Sequence, residues 1–398
     1  MRMLLVGDMH LSDRIWNNRP KIYGDSYFAL EQVGHLAITR DVNAVVLAGD
    51  LLDVTRNVPS VLYHLAKFLA KMVDHDILVY FVNGQHCQHV PAWPNVLNMS
   101  KKVIHLPDLA ENSTISGSDF LPKDQFQAVL KEPRVRDSSL FVCHQTIKDF
   151  MGNVGDPQAS ISDFNPTAKQ LVFIGDKHEY HDVTVPEKGL RVISPGSTHM
   201  RSINEPADKF VFEWDSEGDP HSTVTNQLLS RHKLKVDLVG KWESGNVDHI
   251  MQDTKNWLND ELWREDEANC WCSTNMPEFS PELLSSVRQP IVQLRLPSDA
   301  TQIISAFSNI CDTYNAHLFI KVVGTTETKM AAELDGSAAR TTPTMNQSLK
   351  VALGREAATK EELDTDVAYQ LADRLLQGGE PASVLQDFAK EGETNDIN

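Results

Sequence analysis

Aspartate and histidine residues directly follow several short apolar segments in the first half of the chain. Each apolar segment has the length and composition of a β-strand that is buried on both faces. The polar residues at their C-terminal ends are Asp8, His10, Asp50, Gln85, His86, His144, Asp176 and His178. Carboxylate and imidazole groups are common protein ligands of divalent metal ions. Because ligand sites in open α/β sheets lie at the carboxyl ends of the strands, we expect these side chains to share one pocket.

The number of these groups exceeds what a single metal ion uses, since about four to six ligands fill its coordination shell. We therefore expect two divalent ions, which together can activate water and polarise a phosphate ester. One carboxylate has to bridge the two ions, and Asp50 is the natural candidate because it lies on the middle motif. His86 lies beside a candidate ligand, and an imidazole titrates near neutral pH, so His86 is predicted to be the general acid.

Each motif also has an ordinary structural explanation. A Gly-Asp pair after a strand is usually a turn, and an isolated histidine is usually a packing or surface residue. The agreement of successive strand ends favours a common site over a series of coincidences. Asp53 is predicted to hold a metal ligand or a backbone amide by a hydrogen bond. Candidates for contacts with a phosphate backbone, with solvated loop charges as the alternative, are Arg14, Arg19, Lys21 and Arg56.

The elements that must position these residues alternate between strand and helix. Apolar segments predict strands at residues 3–7, 43–48, 77–82, 139–143 and 170–174. Periodic apolar residues predict helices at 27–40 and 59–74. This alternation is typical of an α/β sandwich. After residue 175, shorter segments at 183–185, 190–194 and 210–214 predict a group of antiparallel strands that completes the first domain.

We predict four regions along the chain. Residues 1–222 form the α/β domain, and residues 228–325 form a small α+β domain. Residues 326–347 are rich in Thr, Ala and Ser and have the composition of a linker. Residues 348–398 contain two amphipathic helical patterns, which either bind a partner helix or pack on the rest of this chain.

Composition excludes several classes of protein. No run of about 18 uncharged apolar residues occurs, so a membrane span is not predicted. The segment after Met1 lacks the apolar core and cleavage site of a secretory signal, and the five cysteines are scattered, so we expect a cytoplasmic protein with reduced thiols. The net charge of −18 argues against a protein that coats nucleic acid by general attraction, but not against an enzyme with its own metal site.

The strand-end motifs resemble those of the calcineurin-like metallophosphoesterases, and within that superfamily those of the SbcD nucleases and the meiotic recombination 11 nuclease. The matching segments are Gly7-Asp8-Met9-His10, Gly49-Asp50-Leu51-Leu52-Asp53, Gly84-Gln85-His86, His144 and Gly175-Asp176-Lys177-His178. A further similar segment is Ser194-Pro195-Gly196-Ser197, followed by Arg201, Ser202 and Glu205. The resemblance implies a four-layer αββα sandwich with a small α+β capping domain and a C-terminal helical tail.

The resemblance also implies ligand sets. The first metal ion would be held by Asp8, His10, Asp50 and His178, and the second by Asp50, Gln85, His144 and Asp176. His86 would be the acid. The family has Asn in place of Gln85, His in place of Asp176 and an acidic residue in place of Cys87. A hard carboxylate oxygen in place of imidazole shifts the preference of the second site towards Mn²⁺, or Mg²⁺.

The implied function is a metal-dependent DNA nuclease. The family leads us to expect 3′ to 5′ exonuclease activity on duplex ends and endonuclease activity on single strands, in double-strand break processing or recombination. A homodimer and an SbcC-type coiled-coil ATPase bound to the terminal helices are also implied. Two alternatives stay open: a phosphoesterase acting on a small or protein substrate, which the catalytic motifs alone would also fit, and a catalytically weak scaffold that binds DNA ends or the ATPase.

Overall fold

The computed structural model describes residues 1–13, 22–53, 59–87, 101–109, 114–151, 156–239, 247–260 and 281–323. All of them belong to one compact unit, Met1–Thr328. The predicted linker and helical tail lie outside the described residues. So do the candidate phosphate contacts Arg14, Arg19, Lys21 and Arg56.

The described elements follow the predicted alternation of strands and helices. The strands are β1 (Arg2–Val6), β2 (Ala44–Ala48), β3 (Leu78–Val82), β4 (Val103–His105), β5 (Ile115–Ser118), β6 (Leu140–His144), β7 (Gln170–Gly175), β8 (His181–Val185), β9 (Leu190–Ser194), β10 (Lys209–Asp215), β11 (Thr223–Leu228), β12 (Lys233–Asp237), β13 (Ile291–Pro297) and β14 (His317–Val323). The α-helices are α1 (Asp25–Thr39), α2 (Pro59–Asp74), α3 (Lys123–Val129), α4 (Pro133–Arg136), α5 (Lys148–Met151), α6 (247–260), α7 (Pro281–Arg288) and α8 (Ile304–Thr313).

Two sheets stack face to face and helices cover their outer faces, which confirms the αββα architecture. The first sheet has the order β11-β10-β1-β2-β3-β4, and the second β5-β6-β7-β9-β8. Met3 and Leu5 of β1 pack into the core between the sheets with Val142 and Phe173. Leu4 and Val6 of β1 pack under α1 and α2. Both faces of β1 are therefore buried, which explains an apolar segment without polar alternation.

The sequence predicts a single antiparallel group for the strands after Gly175, but the structure divides these strands between the two sheets. β8 and β9 join the second sheet, where β9 runs parallel to β7. β10 and β11 join the first sheet, where β10 is antiparallel to β1. The sheet of the first domain thus extends to Leu228, because β11 pairs with β10 along its whole length. Local composition predicts a strand but does not indicate which sheet edge it joins.

A smaller unit follows, with the parallel strand order β12-β13-β14. Its core contains Phe307 and Ile310 of α8 and Leu258 of α6, packed on β13. A buried ion pair connects it to the first domain: Arg231, just before β12, donates to Asp25 at the start of α1, with Nη2 2.8 Å from Oδ2. Within the described ranges, no helix is both long and apolar enough to cross a membrane.

Candidate metal centre

Three residues at the strand ends have left-handed backbone conformations, although none of them is glycine. The φ angles are 41° at His10, 34° at Asp50 and 91° at Asp176. Such conformations cost about 1–3 kcal/mol each and persist only where the surrounding structure enforces them. They lie in the segments that follow β1, β2 and β7, so the three loops turn sharply and direct their side chains towards one point.

Two glycines allow the loops to approach each other closely. A Cβ atom on Gly84 would lie 2.1 Å from Asp50 Oδ1. A Cβ atom on Gly175 would lie 2.0 Å from the Ala48 carbonyl oxygen and 2.5 Å from His144 Nδ1. Because real Cβ atoms do not approach other atoms this closely, no other residue fits at either position without displacing the backbone. The site thus leaves no room for a side chain at these two positions, which explains the glycines in the motifs.

The first group of potential ligands consists of Asp8, His10 and His178, whose ligand atoms all lie within 4.8 Å of one another. His178 Nε2 is 3.2 Å from His10 Nε2 and 3.9 Å from Asp8 Oδ2. The Asp176 backbone amide donates to both carboxylate oxygens of Asp8, at 3.1 and 3.0 Å. Asp8 is therefore fixed in an orientation that faces the two imidazoles.

The second group surrounds Asp50. Asp50 Oδ2 lies 3.3 Å from His144 Nε2, 3.7 Å from His10 Nε2 and 3.7 Å from His86 Nε2. The backbone amide of His86 donates to Asp50 Oδ1 at 3.0 Å, which fixes the carboxylate. His10, Asp50 and His86 also form a potential metal-binding group. Asp50 therefore touches both groups of ligands and has the position that a shared carboxylate requires.

Asp176 and Gln85 complete the set of predicted ligands, and they differ. Asp176 Oδ1 is 3.9 Å from His144 Nε2, and Asp176 Oδ2 accepts a hydrogen bond of 2.6 Å from the Thr146 hydroxyl. Gln85 begins a short 3-10 turn, Gln85–Cys87, and is exposed to solvent. The structure thus brings Asp176 beside His144, whereas Gln85 lies on the outside of its turn.

The imidazole rings are oriented as metal ligands require. His144 Nδ1 donates to the Ala48 carbonyl at 2.9 Å, and His178 Nδ1 donates to Glu205 Oε1 at 3.0 Å. An imidazole whose Nδ1 carries the hydrogen presents the lone pair of Nε2. His144 Nε2 is buried and has no hydrogen-bond partner among the described residues. This orphaned nitrogen, facing carboxylates, fits a divalent cation.

Burial and charge together set the protonation of the cluster. Burial raises the pKa of Asp8 to about 7, although His144 and His178 oppose the rise. Burial disfavours charge on His144, but Asp50 and Asp8 outweigh it and raise its pKa to about 10. Burial also opposes ionisation of Asp50, yet His144 and His10 hold the pKa of Asp50 well below its usual range. A divalent cation would take the place of the protons on Asp8 and His144.

Three residues around the centre were not predicted to have a role of their own. Arg201 Nη1 lies 3.2 Å from His10 Nε2 and 3.1 Å from His178 Nε2. Glu205 holds the ring of His178 and accepts hydrogen bonds from the buried Lys209. In the sequence, Arg201 and Glu205 are visible only as part of the segment after the Pro-Gly-Ser motif. Because both residues are far in sequence from the other motifs, the sequence does not indicate that they contact His10 or His178.

Asp53 lies where a supporting group was predicted. Its Oδ1 is 3.3 Å from His10 Nδ1 and accepts a hydrogen bond from Arg201 Nη2. Cys87, which replaces the family's acidic residue, is buried, and burial raises the pKa of its thiol to about 11. Cys87 is therefore an uncharged thiol at neutral pH and contributes no negative charge to the centre.

Residues 1–186, a little under half of the chain, match the family model of the calcineurin-like phosphoesterases. The match includes every strand end described above apart from the segment that carries Arg201 and Glu205. The description of the matched family names phosphate esters as its substrates.

Individual relatives share a single description, DNA double-strand break repair protein Mre11. The chain is 26% identical to that protein of Methanosarcina acetivorans over 232 residues, covering 55% of this chain and 37% of the relative. It is 27% identical to that of Sulfolobus acidocaldarius over 276 residues, 63% of this chain and 68% of the relative. The protein of Methanosarcina mazei is 24% identical over 230 residues, 55% of this chain and 37% of the relative. The match to the Methanosarcina relatives thus spans little more than a third of their length.

Proposed function

We propose that this protein is a metal-dependent DNA nuclease. The observation that carries the proposal is the convergence of Asp8, His10, Asp50, His144 and His178 from four strand ends on one cluster. The similarity to Mre11 proteins supports DNA as the substrate. The expected reactions are exonuclease cleavage of duplex ends in the 3′ to 5′ direction and endonuclease cleavage of single strands, in double-strand break processing and recombination in the cytoplasm.

The cofactor of this proposal is a pair of divalent ions, Mn²⁺ rather than Mg²⁺. When bound, the ions would polarise the phosphate and lower the pKa of a water molecule. The first would be held by Asp8, His10, Asp50 and His178, and the second by Asp50, His144 and Asp176. We do not include Gln85, since its side chain is exposed. Hard carboxylate oxygens on both sides of His144 favour Mn²⁺ over Zn²⁺.

The protein's own groups have separate roles in the proposed reaction. Asp50 carries negative charge between the two ligand groups, because its pKa is held low. His86 is partly exposed at the edge of the cluster, with its Nε2 3.7 Å from Asp50 Oδ2. A solvent-accessible imidazole at that position can donate a proton to the leaving oxygen of the ester. Glu205 and the Ala48 carbonyl keep His178 and His144 in the tautomer that ligates.

Partners complete the proposal. We infer a homodimer and an SbcC-type coiled-coil ATPase that binds the amphipathic helices predicted within residues 348–398. Because the net charge is −18, general electrostatic attraction contributes little to DNA binding. A partner that holds the DNA is therefore consistent with the proposed nuclease.

The test is cleavage of linear duplex and single-stranded DNA with Mn²⁺, with and without the ATPase. We expect cleavage by the wild-type protein, and a loss of about a hundredfold or more in His86→Ala if the residue is the general acid. His75→Ala is the matched control, because His75 is an exposed histidine at the end of α2. Hydrolysis of bis(p-nitrophenyl) phosphate without DNA cleavage would replace the nuclease by the phosphoesterase alternative. Binding of DNA ends without any hydrolysis would favour the scaffold.

A further inference from the structure

The guanidinium group of Arg201 lies inside the candidate metal centre, and none of the proposed roles uses it. Its Nη1 is within 3.2 Å of the Nε2 atoms of both His10 and His178. Its Nη2 donates a hydrogen bond to Asp53 Oδ1. The side chains of Arg201 and Asp53 are only 24% and 18% exposed. Arg201 is thus part of the interior of the centre and is not a solvated surface charge.

The backbone of Arg201 is anchored to the same carboxylate that orients a potential ligand. The Arg201 amide donates to Glu205 Oε2 at 3.0 Å, and Glu205 Oε1 accepts from His178 Nδ1 at 3.0 Å. Lys209 also donates to Glu205 Oε2, at 3.3 Å. Because one carboxylate holds both residues, the start of the Arg201 side chain has a fixed position relative to the His178 ring.

Arg201 approaches the two nitrogen atoms that the first metal ion would use. An imidazole nitrogen has one lone pair, so it cannot accept from a guanidinium and ligate a cation at the same time. The guanidinium is also permanently positive and repels a cation nearby. Arg201 and a metal ion therefore compete for His10 and His178, and the guanidinium has to leave their lone pairs when the ion binds.

Asp53 provides an anchor for the guanidinium after this exchange. The hydrogen bond between Arg201 Nη2 and Asp53 does not involve the imidazole lone pairs, so it can persist when the ion is bound. The remaining N–H groups would then lie beside the ion at the edge of the cluster. A planar fork of N–H donors is the group that best matches two oxygens of a phosphate.

We propose that Arg201 is a phosphate-binding residue of this centre. When the metal ion binds, Arg201 gives up its contacts with His10 and His178, keeps its hydrogen bond to Asp53, and binds non-bridging oxygens of the substrate. The inference rests on the proposed function only in taking the substrate to be a phosphate ester. It does not require that the ester be DNA, and it predicts opposite effects of one substitution on metal and on phosphate.

The metal arm is a titration of free Mn²⁺ by electron paramagnetic resonance, without substrate. Removal of the positive charge in Arg201→Gln is expected to tighten Mn²⁺ binding by about threefold or more. Arg201→Lys keeps the charge, so its affinity stays nearer to that of the wild type. Arg191→Gln is the matched control: Arg191 on β9 pairs with Asp182, and these side chains are 17% and 25% exposed. Weaker Mn²⁺ binding in Arg201→Gln would overturn the proposed competition.

The phosphate arm is calorimetric titration of inorganic phosphate into the Mn²⁺-loaded full chain. Loss of a charge-assisted hydrogen bond predicts about tenfold weaker binding or more in Arg201→Gln. Arg201→Lys is also expected to bind phosphate more weakly than the wild type, because an ammonium group lacks the fork. With bis(p-nitrophenyl) phosphate, KM should rise more than kcat falls. Unchanged phosphate affinity in Arg201→Gln, with thermal melting as in the wild type, would refute the inference.

The two proposals fail separately. Hydrolysis of the small diester without DNA cleavage would contradict the nuclease, while tighter Mn²⁺ and weaker phosphate binding in Arg201→Gln would still support Arg201. Cleavage of DNA together with unchanged phosphate binding in Arg201→Gln would contradict the role of Arg201 alone. Because both binding measurements need no turnover, they decide the role of Arg201 even if the isolated chain is inactive.

Discussion

The two groups of potential ligands in the candidate metal centre, which we call its first and second halves, are built differently. In the first half, the ligand atoms of Asp8, His10 and His178 lie within 4.8 Å of one another. Hydrogen bonds from another part of the chain hold Asp8 and His178, and Asp53 Oδ1 lies 3.3 Å from His10 Nδ1. In the second half, the Ala48 carbonyl holds His144, which lies 3.3 Å from Asp50 and 3.9 Å from Asp176, but the predicted ligand Gln85 is exposed. The predicted ligands of the first half thus all come together, whereas in the second half Gln85 stays outside the cluster.

This difference coincides with the departures from the family motifs, since Gln85 and Asp176 both belong to the second half. Gln is one methylene longer than Asn, and the side chain of Gln85, at the start of its 3-10 turn, is exposed. The Asp176 backbone, in contrast, serves the first half by donating to Asp8.

The largest effect is expected from the residue that both halves share. Asp50→Asn removes the central charge, and we expect phosphodiester hydrolysis to fall about a thousandfold, because metal ions contribute several kcal/mol to such reactions. A calorimetric titration should show weaker binding of both Mn²⁺ ions. Asp41→Asn is the control, since Asp41 is another left-handed aspartate, with φ 50°, whose exposed side chain pairs with Arg2. Loss of only one equivalent would show that the halves do not share Asp50.

A smaller effect, confined to metal binding in the first half, is expected from a substitution of Glu205. Glu205→Gln leaves a neutral acceptor on His178 Nδ1, and we expect about 10- to 100-fold weaker metal binding in the first half, as for other groups that orient ligating histidines. The second half should change little. Glu213→Gln is a suitable control, because Glu213 is a partly buried, ion-paired carboxylate on β10. Equal weakening of both metal ions would contradict the distinction between the halves.

Metal affinity in the first half should depend on pH. The pKa of Asp8 is raised to about 7, so below that pH a proton occupies the carboxylate and has to be released when the ion binds. Affinity should therefore fall as the pH falls below about 7, by up to about tenfold per pH unit for each proton released. Calorimetry in buffers of different ionisation enthalpy counts the protons. Binding without proton release at about pH 6 would be inconsistent with a buried, protonated Asp8.

The smallest effect is expected at Gln85. Gln85→Ala removes an exposed side chain, and we expect hydrolysis and Mn²⁺ stoichiometry to change by less than about threefold, as for most surface substitutions. The measurement is calorimetry together with initial rates on bis(p-nitrophenyl) phosphate. Loss of one Mn²⁺ equivalent would instead show that Gln85 ligates, and that its turn rearranges when the metal binds.

Much of the fold was predictable because it depends on local patterns. Short apolar segments indicated β1, β2, β3, β6 and β7, and the recurrence of polar residues at their C-terminal ends indicated a shared site. After Gly175, β8, β9 and β10 were recognised too, but β11 was not, and neither was the distribution of these strands between two sheets. Pairing partners are chosen by long-range contacts, such as the packing of Trp214 of β10 in the core between the sheets, which leave no mark on the local sequence.

The sequence by itself determined which residue types follow each strand, and hence the chemistry of carboxylate and imidazole ligands. Only the tertiary structure decided which of them meet, that Asp50 lies between the two groups, that Gln85 points outward, and that Arg201 enters the centre. The physical reason is that side-chain type is a local property, whereas a distance of about 3 Å between residues far apart in sequence depends on how both sheets, their loops and their left-handed turns pack together.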